Sequence, residues 1–112
     1  MKRKFISDVR KVWGSEHWVV NDDYCGKILK LKRTFRCSLH LHKLKDETFL
    51  VLTGKVRFEL SGKVIILNPT DIIDIPKKSL HRFSGLKDSV IVEFSTHHED
   101  EDSYRVELSG KI

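Results

Sequence analysis

At 112 residues the chain can bury one modest core and not two, so a single domain spanning 1–112 is expected. Its 39% hydrophobic and 33% charged content suits a globular protein, and no run of about 18 apolar residues supplies a transmembrane helix. The net charge of +5 comes from scattered lysines and arginines without an aromatic, glycine-spaced RNA-reading signature, which argues against nucleic acid and against a membrane as partners.

The N-terminal stretch MKRKFISDVRKVW is basic and lacks the apolar centre of a signal peptide, so a cytoplasmic location is expected. These first dozen residues are also the one place where the sequence leaves room for a short helical turn. From residue 17 the chain reads as strands in close succession: 17–22, 27–33, 37–44, 48–54, 55–62, 63–69, 71–76, 81–83, 89–96 and 104–110. Turn residues separate them, and Gly54 and Gly62 sit where tight hairpins need a positive φ. Many short strands predict an all-β sandwich or barrel, with the core barrel at about 17–110. Cys25 and Cys37 form no CxxC pair and read as buried free thiols. The acidic run at 99–102 reads as a solvated turn.

Within LHLHKLKDETFLVLTG (39–54), alternation puts Ser38, His40 and His42 on one face of a strand and Leu39 and Leu41 on the other. If Glu47 faces inward with Phe49 and Val51, its carboxylate can meet the two imidazoles, and His81 arrives from a separate strand. Three nitrogens and one oxygen suit one first-row divalent ion: Zn, Mn, Fe, Ni or Co.

The spacing His40-x-His42-x4-Glu47-x6-Gly54, followed by Pro76-x4-His81, resembles the two motifs of the cupin superfamily, and the likeness covers roughly residues 27–96. The resemblance implies a small antiparallel jelly-roll barrel (a double-stranded β-helix) with one metal held by His40, His42, Glu47 and His81. The chain departs from the family pattern at Thr34, Thr70 and Lys78, where cupins carry glycine, and at Gly85, where they close on asparagine. Within the superfamily, the run from Arg36 to His42, Trp13-Gly14 and Glu93 on the last barrel strand resemble phosphomannose-isomerase-type cupins.

Lys27, Arg36 and Ser38 are candidates to hold a phosphorylated or hydroxylated substrate, or else belong to an exposed strand rim. Glu93 shares a face with Ile91 and Ser95, turned either to solvent or to the cavity as an acid–base group. His97 and His98 read as rim or turn residues, and Trp13 and Trp18 as core or interface anchors. The resemblance implies a metal-dependent enzyme acting on a small molecule, a sugar or sugar phosphate, by aldose–ketose isomerisation. A non-catalytic ligand-binding module and an Fe(II)-dependent dioxygenase stand as alternatives. A homodimer pairing edge strands near the N-terminus is expected.

Overall fold

Period-two alternation of apolar and polar residues turns more than half of the chain into strand in the computed structural model, which describes residues 1–112. In chain order these are β1 (Ser7–Lys11), β2 (Gly14–Asn21), β3 (Tyr24–Leu31), β4 (Phe35–Arg36), β5 (Leu39–Leu41), β6 (Glu47–Thr53), β7 (Val56–Leu60), β8 (Lys63–Leu67), β9 (Ile72–Ile75), β10 (His81–Gly85), β11 (Ser89–Thr96), β12 (Tyr104–Glu107) and β13 (Gly110–Lys111). One 3-10 turn, Asp100–Asp102, links β11 to β12. No helix is long and apolar enough to cross a membrane.

The first dozen residues, where the sequence left room for a helical turn, form none. They supply β1, paired antiparallel with β2 from Ser7↔Trp18 to Lys11↔Gly14. A lone helical turn fixes several residues for one hydrogen bond, whereas the open edge of β2 offers a full ladder, and the ladder wins.

The strands form two antiparallel sheets. One runs β1-β2-β3-β11-β6-β9. In the other, β10 lies between β7, which carries β8 on its far side, and the interrupted strand β4/β5, which is flanked by β13 and β12. This is the expected all-β jelly-roll barrel.

Inward-facing residues divide its interior into two zones. On β3, Lys27 gives way to Leu29 and Leu31; on β6, Glu47 gives way to Phe49 and Val51; on β10, His81 gives way to Phe83. On β11, running the other way, Ile91 precedes Glu93. Cross-strand register aligns the polar ends, with Glu93 opposite Lys27 and Ser95 opposite Glu47. The barrel therefore has an apolar floor around Phe58 and Trp13 and a polar mouth.

The turns keep the backbone that glycine usually provides. Thr34, Thr70 and Lys78 adopt φ of 70°, 75° and 66°, the left-handed conformation, at the three positions where glycine was missing from the resembled pattern. At the β6–β7 hairpin Gly54 has φ 95°, and a Cβ there would stand 2.5 Å from the Asp88 carbonyl oxygen. Both cysteines are free and buried.

Candidate metal centre and its cavity

His40 on β5 and His81 on β10 are direct cross-strand partners, and His42 follows β5 immediately. One ligand atom from each of the three rings can be chosen so that all lie within 4.8 Å of one another. Each ring is oriented from behind by a main-chain carbonyl. His40 Nδ1 donates to Ser38 O (2.7 Å), His42 Nδ1 to Asp102 O (3.0 Å) and His81 Nδ1 to Ser79 O (2.8 Å). A carbonyl can only accept, so each Nδ1 carries a proton and Nε2 is the ring nitrogen left to act as a ligand.

Glu47, at the start of β6, faces the same point. Its Oε1 lies 3.3 Å from His42 Nε2 and 3.3 Å from His81 Nε2. Both Glu47 Oε1 and His81 Nε2 are buried without a hydrogen-bond partner in the protein. Lone pairs opposed at such a distance, out of reach of water, are costly unless a cation or proton lies between them. The donor set fits a first-row divalent ion in both chemistry and orientation. Burial and the neighbouring His81 depress the His40 pKa to about 3, so that ring is a neutral donor. Burial alone would raise the pKa of Glu47, yet the surrounding imidazoles and Lys45 hold the carboxyl well below the usual carboxylate range.

A cavity of about 160 Å³ opens beside this cluster. Glu93 lines it, 4% exposed, which settles which way that side chain faces. Its Oε2 accepts from Lys45 Nζ (3.1 Å) and Ser95 Oγ (3.0 Å), leaving Oε1 without a protein donor. Lys27 also lines the cavity, with its ammonium 4.2 Å from the centre of the Trp18 ring and 3.5 Å from Glu16. Ser38 is a lining residue too, its hydroxyl 3.1 Å from His40 Nδ1.

Arg36 does not line the cavity, contrary to expectation. The alternation that puts Ser38, His40 and His42 inward breaks between β4 and β5, where Cys37 and Ser38 are both buried. Arg36 itself is half-buried, with its Nε buried and without a hydrogen-bond partner in the protein. Trp18, read as a core or interface anchor, forms cavity wall and meets His98 edge-on at 5.3 Å.

Sequence reasoning missed Lys45. It is 3% exposed and its ammonium also lies 3.4 Å from Glu47 Oε2 and 2.9 Å from His98 Nδ1. Burial would lower its pKa, but Glu93 and Glu47 more than reverse this and raise it, so it remains an ammonium. The available signal was parity, since Lys45, Glu47, Phe49 and Val51 are each two residues apart. His98 is likewise a wall residue, bonded through Nε2 to Asp100 Oδ1 at 2.8 Å. Burial, Lys45 and Lys27 lower its pKa to about 4. His97, by contrast, is exposed and paired with Glu99 at 2.6 Å. The acidic run is only partly solvated: Asp102 is buried, and its carboxylate takes the backbone N–H groups of Lys43 and Leu44.

The sequence pattern of the cupin domain matches residues 31–98. An uncharacterized HTH-type transcriptional regulator, YobQ of Bacillus subtilis (strain 168), is 31% identical over 86 residues, covering 74% of this chain and 36% of the regulator. The chain thus spans little more than a third of that curated relative. Among solved structures, KdgF from Halomonas sp. has a TM-score of 0.79 at 21% identity, covering 90% of this chain and 98% of that one. A Streptomyces PAC13 variant with uridine has a TM-score of 0.80 at 15% identity, covering 96% and 93%. At such identities the two structures share the fold.

Proposed function

The chain belongs to the cupin family, and from that premise we propose that it is a metal-dependent enzyme converting a sugar or sugar phosphate between aldose and ketose forms. The observation that carries the reading is the opposition of the buried, unpartnered Glu47 Oε1 to imidazole nitrogens on His42 and His81. His40, His42, His81 and Glu47 hold one divalent ion, of Zn, Mn, Fe, Ni or Co type. When bound, such an ion supplies Lewis acidity, polarising a carbonyl and acidifying the neighbouring C–H.

The chain's own groups supply the rest. Glu93 presents Oε1 to the cavity as the base that takes a proton from one carbon and returns it to the next. The Lys45 ammonium, held between Glu93 and Glu47, offsets negative charge developing on the substrate oxygens. Lys27 and Ser38 hold hydroxyl or phosphoryl oxygens from the cavity wall. The cavity, near 160 Å³, is below the range of about 300–1,000 Å³ typical of pockets for drug-sized ligands, which favours a small hydroxylated substrate. A homodimer pairing the free β1 edge accompanies this reading.

The test is elemental analysis of the purified protein, then a screen of sugars and sugar phosphates with each reconstituted metal form. The reading expects turnover that a chelator abolishes and that Glu93→Gln reduces by about 100-fold or more. A metal-loaded protein that turns over none of these compounds would overturn it.

The likeness to a longer transcriptional regulator favours a second reading, a ligand-binding module without catalysis. Saturable sugar binding without turnover is its signature. Oxygen uptake by an iron-loaded form would point instead to dioxygenase chemistry.

A further inference from the structure

The outer face of the first sheet carries a second group of reactive side chains, on the opposite side of β2 from Glu16 and Trp18. Alternation turns Ser15 and His17 outward together, and register sets Asp8 of β1 directly opposite His17. His17 Nδ1 lies 2.6 Å from Asp8 Oδ1, and His17 Nε2 lies 2.9 Å from Ser15 Oγ. An aspartate at Nδ1 fixes the tautomer that leaves the Nε2 lone pair for the serine hydroxyl, which is the atom-by-atom order of a hydrolytic triad. The three residues come from two adjacent strands at the edge of the sheet.

Their surroundings favour a ligand. Ser15 and His17 are half-buried, and Phe5 covers one side of the imidazole with ring centroids 5.3 Å apart. All three residues line a groove of about 700 Å³, much roomier than the metal cavity. The cross-strand neighbours of Ser15 are Arg10 on β1 and Lys30 on β3, and both line the same groove, as does Lys32. None of these three cations forms an ion pair within the protein.

We propose that Ser15, His17 and Asp8 form a second, metal-independent site that hydrolyses small carboxylic esters bearing a negative charge. Ser15 Oγ attacks the ester carbonyl carbon while its proton passes to His17 Nε2. The C–O bond to the leaving alcohol breaks, and that alcohol takes the proton from His17. Water, deprotonated by His17, then releases the acid from Ser15 and restores the hydroxyl. Asp8 holds the imidazole in the required tautomer, and Arg10 and Lys30 offset charge on the tetrahedral oxygen. Lys32 helps select anionic substrates.

The experiment uses the whole chain treated with a chelator, so that the metal site contributes nothing. Hydrolysis of p-nitrophenyl acetate and its hemisuccinate counterpart is measured, and a fluorophosphonate label is located by peptide mass. The expected result is a label on Ser15 rather than on Ser7, Ser61 or Ser109, and faster cleavage of the hemisuccinate. His17→Ala should slow both labelling and hydrolysis by about 100-fold or more, and Asp8→Asn should slow them as well. Metal uptake should be unchanged in both variants. A label absent from Ser15, or one that forms equally fast in His17→Ala, overturns the proposal.

Discussion

His40 and His81 face each other across β5 and β10 as direct register partners, their ring centroids 4.4 Å apart. Two imidazoles so close, both held by backbone carbonyls through Nδ1, cannot both be protonated without strong repulsion. The pair is oriented to offer ring nitrogens to one common centre. Adding a divalent ion should therefore stabilise the fold, because the folded chain assembles the ligands and the unfolded chain does not. Free ion at about 100 times its dissociation constant should add about 2.7 kcal/mol, read as a rise in melting temperature. Glu47→Gln keeps the shape and removes the charge. Its ion affinity should fall by at least the 10- to 100-fold typical of losing an outer-shell partner. Unchanged uptake in that variant would exclude Glu47 as a ligand.

The ammonium of Lys45 lies between Glu93 and Glu47, and all three side chains are nearly inaccessible. Lys45→Met fills similar volume but leaves buried carboxylates without their cation. Breaking such a pair from one side costs about 3–5 kcal/mol. The double variant Lys45→Met with Glu93→Gln should recover part of this loss in urea unfolding, because the second change removes one stranded charge. Additive losses would show that Lys45 and Glu93 are not energetically coupled.

The barrel and the shared faces of His40 with His42 and of Glu47 with Phe49 and Val51 are legible from sequence through period two, whereas His81 joins them only through the motif spacing that resembles the cupin pattern. The limits are equally physical. Lys45 obeys the same parity but follows Lys43 and precedes Asp46, so local composition reads it as a solvated turn. Arg36 lies outside the cavity lining, beyond an irregular step where Cys37 and Ser38 are both buried, which no periodic pattern foretells. Asp102 supports His42 and the Lys43–Leu44 backbone across about sixty residues of chain, and that contact exists only once the barrel has closed.

His98 makes stability depend on pH. Lys45 donates to its Nδ1 and its Nε2 is bonded to Asp100, an arrangement that needs a neutral ring. Its pKa is about 4 in the fold against 6.5 in a free chain. Between those values the unfolded chain binds more protons, so this contribution is complete above about pH 6.5 and is lost as pH falls toward 4. His40, also depressed, extends the metal-free protein's loss to about pH 3. Subtracting the profile of His98→Asn isolates the first contribution, expected to be about 1–2 kcal/mol once water at the cavity mouth is allowed for. A difference profile flat from pH 7 to 4 would contradict this assignment.

The turn at Thr70 stores strain that one substitution should release. Its φ of 75° is costly for a β-branched residue, yet its N–H is bound to Val51 O at 2.7 Å, so the backbone is held there. The same holds for Thr34, at φ 70° with its N–H on Gly85 O at 2.9 Å. Both side chains are exposed, so little packing is lost on removing them. Relief of about 1–2 kcal/mol exceeds the extra unfolded-state entropy of glycine, about 0.5–1 kcal/mol. Thr70→Gly and Thr34→Gly should each stabilise by about 0.5–1 kcal/mol, raising the melting temperature by a few degrees. Thr70→Ala retains a Cβ and should gain much less. If alanine and glycine raise the melting point equally, β-branching rather than the left-handed backbone is the source of the strain.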